Sequence, residues 1–310
     1  MSQTVVESEE LLAPVGRGIE LCYQTFGDPA DEPLLLVMGL GGPMTWWDPE
    51  FCRLLAEAGF FVIRYDNRDI GRSTKLDGRE AGHVTFPKLA KAFLGLPVTP
   101  AYTIADMADD AAGLLDHLAR EHGIGPAHVF GISMGGMIAQ TLAIKHPDKV
   151  RSLVSMMSTT GKRTVGFQHP SLFPTLLAKK VGKDAYVEGS VRVWRMIGSP
   201  GYPATEAEVR KRAVDTYERG VTGAGVARQM LAVVSQPDRT AELRRLTIPA
   251  TVIHGLADKM VHVSGGRATS MAIPGSELLL VDGMGHDMPQ ELWPRYVRAV
   301  RRTADRAADR

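Results

Sequence analysis

The stretch Ala127–Ala143, AHVFGISMGGMIAQTLA, decides the fold. Its first part, Ala127–Ile132, is an apolar run that reads as a strand. The run closes on Gly131-Ile132-Ser133-Met134-Gly135, a G-x-S-x-G pattern, and the spacing then becomes helical, with Met134, Met137, Ile138 and Leu142 on one face. A chain that turns this sharply from strand to helix holds the serine in a strained backbone and leaves its hydroxyl exposed. Side chains flanking the serine would collide with neighbouring elements, so glycine is needed there. The pattern alone matches many loops; its place between a strand and a helix gives it weight. The competing reading of Ser133 is a plain helix N-cap, a position that serine favours.

Strands and helices alternate on both sides of this stretch. Leu34–Met38 and Phe60–Tyr65 are unbroken apolar runs, Phe51–Ala58 has helical spacing, and Val150–Met157 is a further apolar run after Pro147 ends the helix. The spacing predicts another helix after Thr103, capped by that residue with Asp106 three positions on. Met107, Ala111, Leu114, Leu115 and Leu118 form its apolar face, and Gly123 stops it. Such alternation predicts an α/β fold: a mostly parallel central sheet with helices on both faces.

The ends and the middle depart from that rhythm. Val5–Leu12 and Ile19–Phe26 read as an antiparallel hairpin with Gly16 and Gly18 between them. Residues 75–102, with Pro87, Pro97 and Pro100, read as an extra loop or small helix over the sheet edge. From Thr160 to Leu243 only helical patches occur: Ser171–Lys180, Tyr186–Met196, Thr205–Glu218 and Gly225–Val234. This block is rich in large apolar residues, among them Phe167, Leu172, Phe173, Leu176, Trp194 and Met230. Strands return at Ala250–His254 and Glu277–Val281, followed by a helix over Gln290–Arg302 and a charged tail, RRTADRAADR, expected to fray. The expected organisation is one core domain, residues 1–159 and 244–310, carrying a helical cap inserted at 160–243.

A serine hydroxyl is a weak nucleophile near neutral pH. It needs a base within hydrogen-bond reach, and the base needs an orienting acid. With the serine on a strand-to-helix turn, the expected chain order is serine, acid, histidine. His286 lies just past the last strand, in Val281-Asp282-Gly283-Met284-Gly285-His286. The other histidines lie on helices, inside strands or in irregular segments, and His262 is the one serious rival. Asp258 follows the strand Ala250–His254, at the carboxyl end where ligands gather in parallel sheets. Its plainer reading is a loop aspartate capping the next turn. Asp282 and Asp287 are nearer His286 in the chain, but adjacency does not set geometry. A tetrahedral intermediate needs donors for its oxyanion. One is expected from the backbone N–H of Met134, the other from the glycine-rich turn after Leu34–Met38, with the N–H of Leu40 as the candidate.

Several function classes lose support. That same turn fails as a dinucleotide fingerprint: Gly39 and Gly41 fit, but Met44 holds the third position and Pro43 intrudes, although Asp66 sits where a ribose-binding acid would. No HExxH, P-loop or EF-hand pattern points to a metal or nucleotide. The 310 residues carry a formal net charge of +1 and are 44% hydrophobic, which suits a globular protein and gives no footprint for nucleic acid or a membrane surface. The two cysteines, Cys22 and Cys52, form no CxxC pair and read as reduced structural residues. The opening MSQTVVESEELL carries acids where a signal peptide carries bases, and no apolar run of about 18 residues occurs, so a cytoplasmic location without membrane insertion is expected. A homo-oligomer is compatible with all of this.

Over nearly its whole length the chain resembles the α/β-hydrolase superfamily. Besides Ser133, Asp258 and His286, the run Asp66-Asn67-Arg68-Asp69-Ile70-Gly71-Arg72-Ser73 resembles the turn after the second core parallel strand of esterase-like members, where Asp66, Arg68 and Gly71 would be structural. Leu35-Leu36-Val37-Met38-Gly39, Val62-Ile63-Arg64-Tyr65-Asp66 and Gly283-Met284-Gly285-His286 look like bacterial carboxylesterases, including the aclacinomycin methylesterase group. Met38 departs from the pattern: many members have a histidine there that helps fix the oxyanion loop. The resemblance implies cleavage of a small-molecule carboxylic ester through an acyl-enzyme on Ser133, with no cofactor. Carbon–carbon bond hydrolysis, thioester cleavage and perhydrolysis use the same three residues. A hydrolase-fold receptor that binds a small ligand with little turnover is the alternative of another class.

Overall fold

The structure, a computed structural model, describes residues 5–77, 84–172 and 182–308. Eight strands form one sheet: β1 (Leu11–Gly16), β2 (Ile19–Phe26), β3 (Glu32–Val37), β4 (Phe60–Tyr65), β5 (Ala127–Ile132), β6 (Val150–Met156), β7 (Ala250–Gly255) and β8 (Glu277–Val281). Their order is β1-β2-β4-β3-β5-β6-β7-β8. β1 and β2 join antiparallel, and every pairing from β4 to β8 is parallel.

The unbroken apolar runs are explained by burial on both faces. In β3, Leu35 and Val37 pack into one layer while Leu34 and Leu36 pack into the other. β4 divides likewise, with Phe61, Ile63 and Tyr65 on the first side and Phe60 and Val62 on the second. Helices α3 (Ile104–His122) and α4 (Met134–Lys145) cover the first face. Helix α1 (Pro49–Glu57) and the C-terminal helix α10 (Trp293–Ala308) cover the second. The cap of α3 is a full capping box: Thr103 Oγ1 accepts from Asp106 N, and Asp106 accepts from Thr103 N.

Between β6 and β7 the described residues form no strand. They form α5 (Lys183–Ile197), α6 (Glu206–Arg219), α7 (Gly223–Val234) and the short α8 (Thr240–Leu243). The patch expected at Ser171–Lys180 falls on residues 173–181, outside the described residues, and Phe173 and Leu176 lie there too. The inserted helices are tied to the core by buried polar contacts. Arg219 of α6 donates to Asp66 at 2.8 Å and to Glu10 at 2.8 Å. Arg228 of α7 donates to Asp69, which also accepts from Tyr102 Oη at 2.7 Å. Removing one partner of such a pair strands a buried charge, which costs about 3–5 kcal/mol.

These contacts also settle the segment after β4. Asp66 is fully buried and accepts from the N–H groups of Met44 and Arg72 as well as from Arg219, so its carboxylate has no edge left for a ribose. Arg68 makes a two-pronged contact to Asp110 at 2.5 and 2.6 Å. A side chain at position 71 would lie 2.1 Å from the Asp66 carboxylate. Asp66, Arg68 and Gly71 therefore have the structural surroundings the resemblance implies.

Three expectations need correction, and one helix was not singled out. The hairpin's first strand is Leu11–Gly16 instead of Val5–Leu12, because Gly16 pairs with Ile19 around the two-residue turn Arg17-Gly18 and register is counted from there. Residues 75–102 contain α2 (Phe86–Phe93), which packs on α7 and not over the sheet edge; Arg163 holds its last carbonyls, donating to Ala92 O and Phe93 O. The charged tail is helical through Ala308, since Thr303 and Ala304 are buried against the sheet and Thr303 Oγ1 meets Thr251 Oγ1 at 2.6 Å. Not singled out in the sequence, α9 (Ser264–Ala272) is a helix that its two glycines disfavour; a side chain at 266 would come within 2.4 Å of His254, so close packing on β7 overrides propensity. Cys22 and Cys52 are free and buried, and burial pushes the Cys52 thiol up to about 12.

Candidate active site

Ser133 sits where β5 turns into α4, with φ +55° and ψ −120°. Its N–H donates to Met156 O at 2.9 Å and its carbonyl accepts from Ser158 Oγ at 2.8 Å. The surrounding glycines are a matter of space. A Cβ at 131 would lie 2.2 Å from Gly135 O, and one at 135 would lie 2.0 Å from Val37 O. The turn can be this tight only without those side chains. Ser133 precedes the helix as an N-cap does, yet its hydroxyl caps nothing. The Oγ instead lies 3.0 Å from Nε2 of His286.

His286 is held by the inserted segment as much as by its own loop. Its N–H donates to Ile197 O at 2.7 Å, at the end of α5, and Gly285 N donates to Ser199 Oγ at 2.8 Å. Nδ1 of the ring is 2.7 Å from Asp258 Oδ2. An ionised carboxylate only accepts, so Nδ1 carries the proton and Nε2 presents its lone pair to the serine hydroxyl. Asp258 also plays the plainer part expected of it: Oδ1 accepts from Met260 N at 2.8 Å and Val261 N at 2.9 Å, capping the next turn. Burial alone would raise this carboxyl's pKa. The interaction with His286 and the hydrogen bonds from His254 and His286 outweigh it and hold Asp258 well below the usual carboxylate range.

The rival residues go elsewhere. His262 is exposed, stacks on Phe167 at 4.6 Å and meets Ser264 Oγ. His254 is buried with Nε2 2.8 Å from Val261 O. Asp287, the immediate neighbour of His286, accepts from Ser199 N and Ser199 Oγ.

The glycine-rich turn after β3 lies against the serine: a side chain at 39 would be 3.2 Å from Ser133 Cβ. Among the described residues neither the Leu40 N–H nor the Met134 N–H donates to a protein acceptor. Two side chains hold this turn where Met38 cannot. Asn67 Nδ2 donates to Met38 O at 3.0 Å. Gln229 of α7, fully buried, accepts from Gly41 N at 2.9 Å and donates to Arg68 O at 2.9 Å. Gln229 was not singled out in the sequence; the available signal was an amide inside the apolar run of α7.

A cavity of about 1000 Å³ opens above Ser133 and His286, between core and inserted helices. Leu40, Met137, Trp46, Trp194 and Met230 line it. Of the other apolar residues noted in the insert, Leu172 is core and Phe167 faces solvent. Among the described residues no cluster of histidine, cysteine and carboxylate side chains could hold a metal ion, and no helix is long and apolar enough to cross a membrane.

A strained serine over a parallel sheet, with a histidine and a buried aspartate in line, is the arrangement of one broad family. The family model for the alpha/beta hydrolase fold matches residues 32–290, and the chain belongs to that family. It is 30% identical over 293 residues to rhodomycin D methylesterase DauP of Streptomyces sp. (strain C5), covering 87% of this chain and 90% of the relative. It is 28% identical over 251 residues to 3-oxoadipate enol-lactonase 2 of Acinetobacter baylyi, covering 80% of each. Among solved structures, the enol-lactonase from Burkholderia xenovorans superposes with a TM-score of 0.71 at 23% identity, covering 94% of this chain and 99% of that one.

Proposed function

We propose that this protein hydrolyses a carboxylic ester of a small molecule through an acyl-enzyme on Ser133. The observation that carries the reading is the line of contacts from Asp258 Oδ2 to His286 Nδ1, 2.7 Å, and from His286 Nε2 to Ser133 Oγ, 3.0 Å. Oγ attacks the ester carbonyl as Nε2 takes its proton, and the imidazolium gains the Asp258 charge beside it. The tetrahedral oxyanion is received by the N–H groups of Met134 and Leu40. The imidazolium protonates the departing alcohol. Water then enters, gives a proton to the same imidazole and releases the acid. No cofactor takes part. Two relatives on which the reading leans, a methylesterase and an enol-lactonase, are both named for opening ester bonds. Residues 160–243 serve as the cap that roofs the pocket.

A fluorophosphonate tests it directly. The probe is expected to label Ser133 stoichiometrically and to abolish turnover of short p-nitrophenyl esters in step with labelling. Labelling of a protein that turns over neither esters nor thioesters would favour the ligand-binding alternative instead.

Gln229 is a positioning residue in this scheme, because it fixes the turn that carries Leu40. Gln229→Leu is expected to lower kcat for p-nitrophenyl butyrate about 10-fold or more, with KM changed less than about 3-fold, since the oxyanion forms only after binding. A change confined to KM would place Gln229 in substrate binding instead.

A further inference from the structure

Arg212, on α6, is a half-buried cation with no acceptor within hydrogen-bond distance among the described residues. Its guanidinium carbon lies 4.0 Å from the ring centre of Trp194 and 5.4 Å from that of Trp46. The two indoles meet edge to face at 5.6 Å, and Trp46 is fixed by its Nε1–H donating to Thr216 Oγ1 at 2.8 Å. All three side chains line the cavity that contains Ser133 and His286. Burial disfavours the Arg212 charge, and the more distant Asp287 and Glu208 offset only part of that. Neither carboxylate comes within salt-bridge distance, and Asp287 is engaged with Ser199.

The arginines with buried side chains differ in this respect. Arg68 is paired with Asp110, Arg219 with Asp66 and Glu10, and Arg228 with Asp69. Arg64 and Arg239 have no carboxylate, yet each donates to side-chain amide and backbone oxygens. Among the described residues the Arg212 guanidinium, unlike these, has stacking partners and no oxygen. Stacking on indole faces fixes the plane of the guanidinium and leaves its in-plane N–H groups free, the edge that matches a carboxylate two-prongedly. These donors face the cavity, so a ligand that supplies the oxygens gains charge-assisted hydrogen bonds there.

We propose that Arg212 binds a carboxylate carried by the larger part of the ester substrate, so that the enzyme favours half-esters of dicarboxylic acids over neutral esters. The proposal rests on the ester-hydrolase reading of the same cavity. Its test pairs monomethyl dicarboxylates, glutarate through suberate, with the methyl esters of the monocarboxylic acids of equal chain length. The wild-type enzyme is expected to prefer the best anionic member in kcat/KM. Arg212→Gln is expected to lower kcat/KM for that member about 30-fold or more, chiefly through KM, and to change the neutral partner less than about 3-fold. Arg212→Lys, which keeps the charge, is expected to retain part of the preference. Equal losses on both substrates would make Arg212 only a packing element between the tryptophans and overturn the proposal, as would a wild-type preference for the neutral esters. A second readout needs no turnover: the free dicarboxylates are expected to perturb the fluorescence of Trp46 and Trp194 in wild type and not in Arg212→Gln. If those acids bind while no ester is cleaved, the carboxylate site stands and the hydrolase reading fails; if esters are cleaved but the acids do not bind, the reverse holds.

Discussion

Ser133→Ala is expected to lower kcat for a p-nitrophenyl ester by about 10⁴-fold or more. The substitution removes one oxygen and little else. The backbone bonds of residue 133, to Met156 O and from Ser158 Oγ, do not involve the side chain. The hydroxyl makes no capping bond whose loss would weaken α4. Alanine meets the same φ of +55° that serine already tolerates. Folding is therefore expected to survive, with a thermal midpoint close to that of the wild type, while the proposed nucleophile is gone. Under the proposed mechanism, the residue of activity would come from the N–H groups of Met134 and Leu40 polarising a bound carbonyl for attack by water. Circular dichroism beside steady-state kinetics makes the check, and a folded variant retaining more than about a tenth of the activity would show that the ester is cleaved by other groups.

Asp258→Asn is expected to cost about 10³–10⁴-fold in kcat at neutral pH, through the tautomer of His286. The geometry dictates which end of the amide faces the ring. Oδ1 of Asp258 accepts from two backbone N–H groups, those of Met260 and Val261, so an asparagine must keep its oxygen there. Its NH₂ then takes the place of Oδ2, 2.7 Å from His286 Nδ1. A donor facing Nδ1 makes that nitrogen the acceptor and puts the proton on Nε2, which points at the serine hydroxyl. The base is then blocked although every heavy atom has kept its place. Nitrogen NMR of the His286 ring would report the switch directly. Activity within about tenfold of wild type would reduce Asp258 to the loop cap that its Oδ1 already forms.

How much of this was legible in the sequence depended on range. The parallel strands, the capping box of α3 and the turn at Ser133 were readable because each depends on residues a few positions apart: an apolar run buried on two faces, a threonine with an acid three positions on, a serine between glycines. The helical tail was misread, and the helix α9 was not singled out, for the opposite reason. Their local composition is poor or polar, and it is distant partners that order them, His254 beneath Gly266 and Thr251 beneath Thr303. The hairpin was placed correctly as a pair but its first strand began too early, since register follows the turn and not the hydrophobic pattern.

The sequence by itself determined the fold family, the position of Ser133 and the short set of partners it could have. Tertiary structure alone decided among them. His286 lies 153 positions from Ser133, and Asp258, 28 positions before His286, stands beside its ring where the adjacent Asp287 turns to Ser199. Gln229 under the glycine-rich turn and Arg212 beside two tryptophans belong to the same group. Short-range sterics and periodicity are written in neighbouring residues, whereas a hydrogen bond or a stacked cation is set by where distant elements pack, which no local pattern encodes.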